Sequence, residues 1–467
     1  MRLTLLFLAI ALVLVAQGFV YIRAGDGAFQ QHVSVIASHL GVPYNTLIVL
    51  CGTALLGLAA GVIGTFGVLR RRALIGDAVA HAALPGLCLA FLITGQRNFP
   101  ALLAGAILFG LIGVQVISWL TRNTRLKTDA ALGTVLTVFF GLGIALSGII
   151  QNDPKGRQAG LDSFLLGKTA GMVSQDLIGI IFVSLDVLLL VMLFYKEFKV
   201  LSFDSQFAAV QGFAAGWIDA MMLGLMVVTT VIGLPAVGVV LMAALLILPA
   251  VAARFWTDRL SVQLILAGGL GMAACAVGAW FSSRQADLPA GPVIVLTASA
   301  AFLLSMLMAP ERGVFARLIQ RWRLQRRVAE QHLLRSLFEL SEKALPERVT
   351  VSFDALAKER SWSSTHLRRL LHAALRRGQV ERRGEDWALS AEGLTTASDQ
   401  ARRHRLWEIY LVQYADIAAD HVDRDADEIE HVLTPELIAE LEQRLESEGR
   451  LPKDTVPDSV HPVAAVG

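Results

Sequence analysis

Leu69-Arg70-Arg71-Arg72-Ala-Leu-Ile-Gly76-Asp77-Ala-Val-Ala-His81-Ala-Ala-Leu-Pro85-Gly86 joins two long apolar runs, near 46–69 and 78–95. Each run is about the 20 residues that a helix needs to cross roughly 30 Å of hydrocarbon. The three arginines mark a water-facing turn between them, and the carboxylate and imidazole that follow enter the second run. Ionisable groups in hydrocarbon are costly and usually mark a pathway or a paired site. Asp77 and His81 stand four residues apart, so a helix brings them to one face. A carboxylate oxygen beside an imidazole nitrogen suits Mn2+, Fe2+ or Zn2+ better than Ca2+ or Mg2+. The spacing equally allows Asp77 to cap a helix that starts after Gly76, with His81 held in an internal hydrogen bond.

Further apolar runs near 4–22, 99–120, 129–150, 177–196, 217–234, 236–255, 261–282 and 290–309 bring the expected crossings to ten. Gly233 and Pro235 mark either a tight outer turn or a break in one long kinked element, which leaves eight or nine as the alternative. A mean hydropathy of +0.58 over 467 residues agrees with a membrane protein. Counting sides back from the charged C-terminal third puts Arg70–Arg72, Arg122–Lys127, Lys196–Lys199 and Arg254–Arg259 on the face of that tail, as the positive-inside rule asks. Segments 24–45 and 151–176 then lie outside and Met1-Arg2 inside. Residues 3–22 lack a convincing small-residue cleavage site and read as a span rather than a signal peptide.

Charge changes abruptly at residue 310: the last third holds 24 of the 41 Lys+Arg and 27 of the 39 Asp+Glu. That third is therefore expected to be water-soluble. Within it, 310–405 is basic and 406–467 strongly acidic, which implies two differently tasked halves. Cys51, Cys88 and Cys275 sit in apolar runs and form neither a disulfide framework nor a thiolate zinc pattern. Gly167-Lys168-Thr169 fails as a phosphate loop because Asp162 stands where the motif needs its first glycine. No nucleotide site is expected on this chain.

After an arginine-rich connector, Leu333, Leu334, Leu337, Phe338 and Leu340 recur at helical spacing. The order Phe353-Asp-Ala-Leu-Ala, then Ser363 to Gly378, then the strand-like Val380 to Leu389 reads as helix, turn, helix and wing, and resembles a winged helix-turn-helix. Arg368, Arg369, Arg376, Arg377, Arg382 and Arg383 are candidates for nucleic-acid or other anion contact. They serve equally as a solvated face, or as a basic surface for anionic lipid or a partner protein.

The quoted stretch, Thr128-Asp129-Ala-Ala-Leu-Gly133 and Val237-Gly-Val-Val-Leu-Met-Ala-Ala-Leu-Leu-Ile-Leu-Pro249 together resemble the manganese, zinc and iron ABC permease family over about 46–309. The resemblance implies a bacterial inner-membrane permease in which Asp77 and His81 contact the passing metal. It also implies a second permease subunit (identical or paralogous), a cytoplasmic ATPase dimer and an extracytoplasmic metal-binding protein. The loop with Phe203, Asp204, Gln206, Ala208 and Gly212 falls where the family docks its ATPase; its alternative is an amphipathic linker. Asp186 and Asp219 have no partner at helical spacing and stay unassigned.

His404-Arg-Leu-Trp-Glu408 and Asp427-Glu-Ile-Glu430-His431 are similar to metal-site segments of the diphtheria toxin repressor family. That likeness implies a cytoplasmic regulatory metal bound by His404, Glu408, Asp427, Glu430 and His431, with His332 supplied by the first helix. An acidic solvated helix with incidental histidines is the alternative. The expected fold class is thus an all-α polytopic membrane protein of about 8–10 spans, followed by a cytoplasmic winged-helix and helical metal-binding domain. Its parts are an extra N-terminal segment (1–45), the permease (46–309), a connector (310–327), the winged helix (328–395), metal-binding helices (396–450) and a tail (451–467). A membrane-anchored metal-dependent transcription regulator and an ion-gradient-driven metal transporter are the rival functions. A simple anchor needs only one or two spans.

Overall fold

The computed structural model describes residues 26–95, 99–152, 167–285, 288–342, 350–360, 362–414, 439–440, 442–443 and 456. The run at 4–22 lies outside the described residues. The chain forms two compact units, divided between residues 317 and 318.

The first unit is helical throughout its described length, as a backbone without water to bond must be. Its helices are α1 (Asp26–Leu40), α2 (Tyr44–Leu69), α3 (Ile75–Thr94), α4 (Phe99–Asn123), α5 (Thr128–Asn152), α6 (Ser174–Leu193), α7 (Tyr195–Phe203), α8 (Ser205–Val210), α9 (Ala215–Arg254), α10 (Leu260–Arg284) and α11 (Ala290–Met308). Eight of these, α2 to α6 and α9 to α11, are long and apolar enough to span a membrane. The chain is a multi-pass membrane protein.

Small residues set the packing, because lipid offers no hydrophobic drive for helices to associate and close backbone approach must supply the contact. A side chain at Gly57 or Gly61 of α2 would collide with the backbone of α10 at Gly271 or Ala267. Gly86 of α3 and Gly105 of α4 meet in the same way. Helix α3, which carries Asp77 and His81, is thereby pressed between α4, α5 and α9.

Helix α9 is 40 residues long but breaks at Gly238, whose φ of 80° and ψ of 171° are not helical. Gly64 and Gly67, one turn apart on α2, abut Leu246 and Met226 of α9 respectively. Twenty residues of straight helix would separate those two by about 30 Å, so the chain doubles back at Gly238. The runs 217–234 and 236–255 are therefore two arms of a hairpin, and α9 begins and ends on the same side. Pro235 sits just before the reversal and its carbonyl accepts from the Lys168 N–H at 3.2 Å. The Lys168 backbone thus braces the turn, a structural role for the Gly167-Lys168-Thr169 stretch.

In the second unit, α12 (Val314–Ser341) runs in from the first. It is followed by α13 (Phe353–Glu359), α14 (Ser364–Arg376), β1 (Val380–Arg383), β2 (Asp386–Leu389) and α15 (Ala391–Tyr414). The strands pair antiparallel, Val380 opposite Leu389 and Arg383 opposite Asp386, around a two-residue turn with Gly384 at φ 68°. Val351 bridges to Trp387 and extends the wing. Leu333, Leu337, Leu356, Leu367, Leu371, Val380 and Trp387 close a core under the helices.

Candidate functional site

Helix α3 starts at Ile75, with Leu74 in the capping position and no side-chain cap. Asp77 lies in the first turn, where a negative charge suits the helix N-terminus, but it does not cap α3. Its carboxylate faces His81 instead, with Asp77 Oδ1 and His81 Nε2 3.5 Å apart and the side chains 31% and 19% exposed. The imidazole is fixed edge-on by Phe140 of α5, ring centroids 4.8 Å apart. His81 Nδ1 is buried without a hydrogen-bond partner among the described residues.

Ligand bonds of about 2.1 Å meeting near the tetrahedral angle separate an oxygen and a nitrogen donor by roughly 3.4 Å. The observed gap has that width. Among the described residues no group of three or more His, Cys, Asp or Glu forms a metal cluster, so the described part of one chain offers a pair of donors rather than a closed site.

At the end of the unit where the arginines gather, α7 and α8 form a short helical pair. Asp204 caps α8, its Oδ1 accepting from the Gln206 and Phe207 N–H groups at 2.9 Å each. Gly212 ends the segment at φ 82°. Ala208 is buried within the unit, whereas Gln206 is exposed. Phe203, Phe207 and Val210 hold large apolar side chains in the open, Val210 86% exposed. Phe207 and Val210 were not singled out from the sequence, although apolar residues three apart in a polar loop were the available signal.

Asp219, unassigned by sequence, sits in the second turn of α9 and is buried. Arg70 Nη1 and Arg72 Nη1 each lie 3.2 Å from its carboxylate. Arg71 between them adopts φ 57°, the left-handed region that a non-glycine residue avoids. That turn aims two arginines inward just ahead of α3.

In the second unit, His404 and Glu408 of α15 are fully buried and meet at 3.2 Å. Arg335 Nη1 donates to His404 Nδ1 at 2.5 Å. A guanidinium only donates, so His404 Nδ1 accepts and Nε2 carries the proton towards Glu408. Arg405 grips Glu342 through two bonds of 2.6 Å. Arg335 thus adjoins the imidazole of the buried His404–Glu408 pair. His332 is half-buried on α12; Asp427, Glu430 and His431 lie outside the described residues.

Several of the six candidate arginines have internal work. Arg377 pairs with Glu330 and Arg383 with Glu381. Arg382 donates to the Gly384 carbonyl and lies over Trp387, and Arg368 lies over Phe353. Arg369 and Arg376 are exposed on α14.

Residues 44–309 match the ABC 3 transport family. Residues 390–454 match the metal binding and dimerisation domain of iron dependent repressors. The chain is 41% identical, over 82% of its length and 87% of the relative's, to the manganese transport system membrane protein MntC of Bacillus subtilis. It is 45% identical to the zinc transport system membrane protein TroC of Treponema pallidum, covering 61% of this chain and 94% of that one. Among solved structures, PsaBC from Streptococcus pneumoniae in complex with Fab is similar at 31% identity and a TM-score of 0.51, over 57% of this chain and 93% of that one.

Proposed function

The chain belongs to the ABC 3 transport family, and from that premise we propose that it is the permease subunit of an ATP-driven importer for a divalent transition metal, Mn2+, Zn2+ or Fe2+. The carrying observation is the Asp77–His81 pair: two hard-to-borderline donors at metal-bridging separation on a span, with neither side chain spent on a helix cap. Two of the relatives are named for manganese and zinc transport, both within the preference of an O/N donor set. A second permease subunit, identical or paralogous, would bring a second pair and complete four ligands. An extracytoplasmic metal-binding protein would deliver the ion.

ATP hydrolysis belongs to a separate cytoplasmic ATPase dimer. Exposed Phe203, Phe207 and Val210, held by the Asp204 cap, form the apolar knob that this partner would cover. Proteoliposomes holding the chain and its cognate ATPase should take up at least one of Mn2+, Zn2+ and Fe2+ only when ATP is supplied. Uptake driven by a proton or sodium gradient without ATP would favour the secondary-transporter reading instead.

The cytoplasmic extension is read as a sensor of internal metal, supported by the match at 390–454. The proposed metal centre gathers His332, His404, Glu408, Asp427, Glu430 and His431, and Arg335 would have to leave His404 Nδ1 for the imidazole to take up the metal. Calorimetry on a fragment from about Val328 to Pro452 should show divalent-metal binding that Glu430→Ala or His431→Ala weakens at least about tenfold. Indistinguishable isotherms for the three proteins would rule out this centre. In the full chain the same changes should relieve any fall in uptake as internal metal rises, because a regulator must bind two states unequally.

A further inference from the structure

We propose that the first half of α12, residues 314–327, lies on the cytoplasmic leaflet and binds its anionic phospholipid. This rests on the positive-inside orientation of the spans, and not on which metal is carried. Phe315, Leu318, Ile319 and Trp322 recur at i, i+3, i+4 and i+7, and each is half or more exposed. That spacing makes one continuous apolar stripe on a helix; Leu324 falls off it. Arg321 and Arg323 flank the stripe on its two sides. Arg326 rests over the Trp322 ring, 5.6 Å from its centroid, as a long cationic side chain does when its stem covers apolar surface and its head stays in the polar layer.

Position and charge name the occupant. Only residues 309–313 separate α12 from the last span, and they form a closed turn in which the Gly313 N–H donates to the Ala309 carbonyl at 2.9 Å. The stripe therefore starts within about one helical turn of the membrane surface. Residues 311–327 hold six arginines and one glutamate. A juxtamembrane helix of this kind, apolar on one face with arginine on its flanks, lies in the headgroup layer and is drawn to anionic lipid. Arg321, Arg323 and Arg327 form no ion pair among the described residues. Beside the turn, an open cleft of about 400 Å³ is lined by Val251 and Phe255 with Arg254, Arg312, Arg317 and one carboxylate, Glu311, a net-positive combination suited to an acyl chain with a phosphate head. A second copy of the same stripe would bring two net-positive segments together and repel.

The full chain, with its three native cysteines replaced, would carry an environment-sensitive fluorophore on Leu318→Cys or, on the opposite face, on Gln320→Cys. Nanodiscs of phosphatidylcholine alone are compared with nanodiscs containing phosphatidylglycerol. The label at 318 should be quenched by nitroxide lipids and shielded from an aqueous quencher, more so with phosphatidylglycerol, while the label at 320 stays accessible to water. Combined Arg321→Gln, Arg323→Gln and Arg327→Gln should remove the preference for the anionic disc, by about fivefold in partitioning per arginine. Equal aqueous quenching at both positions in both discs would overturn the proposal. So would shielding that persists in detergent with cross-links between copies, or shielding that appears only when the ATPase is added.

Discussion

Asp77→Ala and His81→Ala should each lower ATP-driven metal uptake by about 100-fold or more, with protein level and ATPase association unchanged. Loss of a group that merely orients a metal ligand already costs 10- to 100-fold, and these are proposed to be the ligands themselves. The structural cost is small by comparison. Removing Asp77 forfeits its interaction with the α3 N-terminus, about 0.3–1 kcal/mol, since it makes no capping hydrogen bond. Removing His81 forfeits its edge contact with Phe140, about 0.5–1.5 kcal/mol. Neither should unfold a bundle whose helices meet backbone to backbone at Gly57, Gly61 and Gly86. Asp77→Asn is the sharper control, because it keeps size and polarity while withdrawing the charge that a divalent ion needs. Normal uptake by these variants at normal protein levels would return the pair to a structural role.

The spans were legible because hydrocarbon accepts so few sequences: about 20 apolar residues with charges at the ends leave little choice. The hairpin in α9 was legible only as one of two readings. Gly233 and Pro235 mark a discontinuity, but whether the chain kinks or reverses is decided by which residues of α2 meet its two arms, and that is a property of packing. The pair on α3 was visible from spacing, since i and i+4 share a face in any helix. The capping alternative disappears only once α3 is seen to start at Ile75. In the second unit, spacing found His404 and Glu408 but not Arg335, because the guanidinium reaches them from a helix 69 residues away in the chain. The wing was legible from the strand-like run Val380 to Leu389 following two helical segments, while the internal contacts of its arginines were not.

Asp219 shows the same limit, and it carries the largest stability effect expected here. Its partners Arg70 and Arg72 lie 147 or more residues earlier, so no local pattern announces them. In the folded chain one buried carboxylate serves two guanidinium groups, with Asp219 8%, Arg70 14% and Arg72 25% exposed at their side chains. Burial lowers the Arg70 pKa, the Asp219 charge opposes that shift, and the neighbouring Arg72 adds to it. Arginine nevertheless stays charged at any physiological pH. Asp219→Asn therefore leaves two like charges crowded and uncompensated, and breaking a buried pair from one side costs about 3–5 kcal/mol. The melting midpoint of the purified chain in nanodiscs should fall by roughly 5 °C. Adding Arg70→Gln and Arg72→Gln to Asp219→Asn should restore most of that loss, since removing every charge also removes the repulsion. A single variant that melts with the wild type, or a triple variant no better than the single, would show that the cluster is already solvated and contributes little. The clamp joins the turn before α3 to the start of α9, five residues ahead of Asp77 on one side and nine past α8 on the other. A variant that melts normally but hydrolyses ATP without moving metal would therefore assign the ion pair to coupling instead of stability, and the two outcomes are separated by measuring melting and uptake on the same preparation.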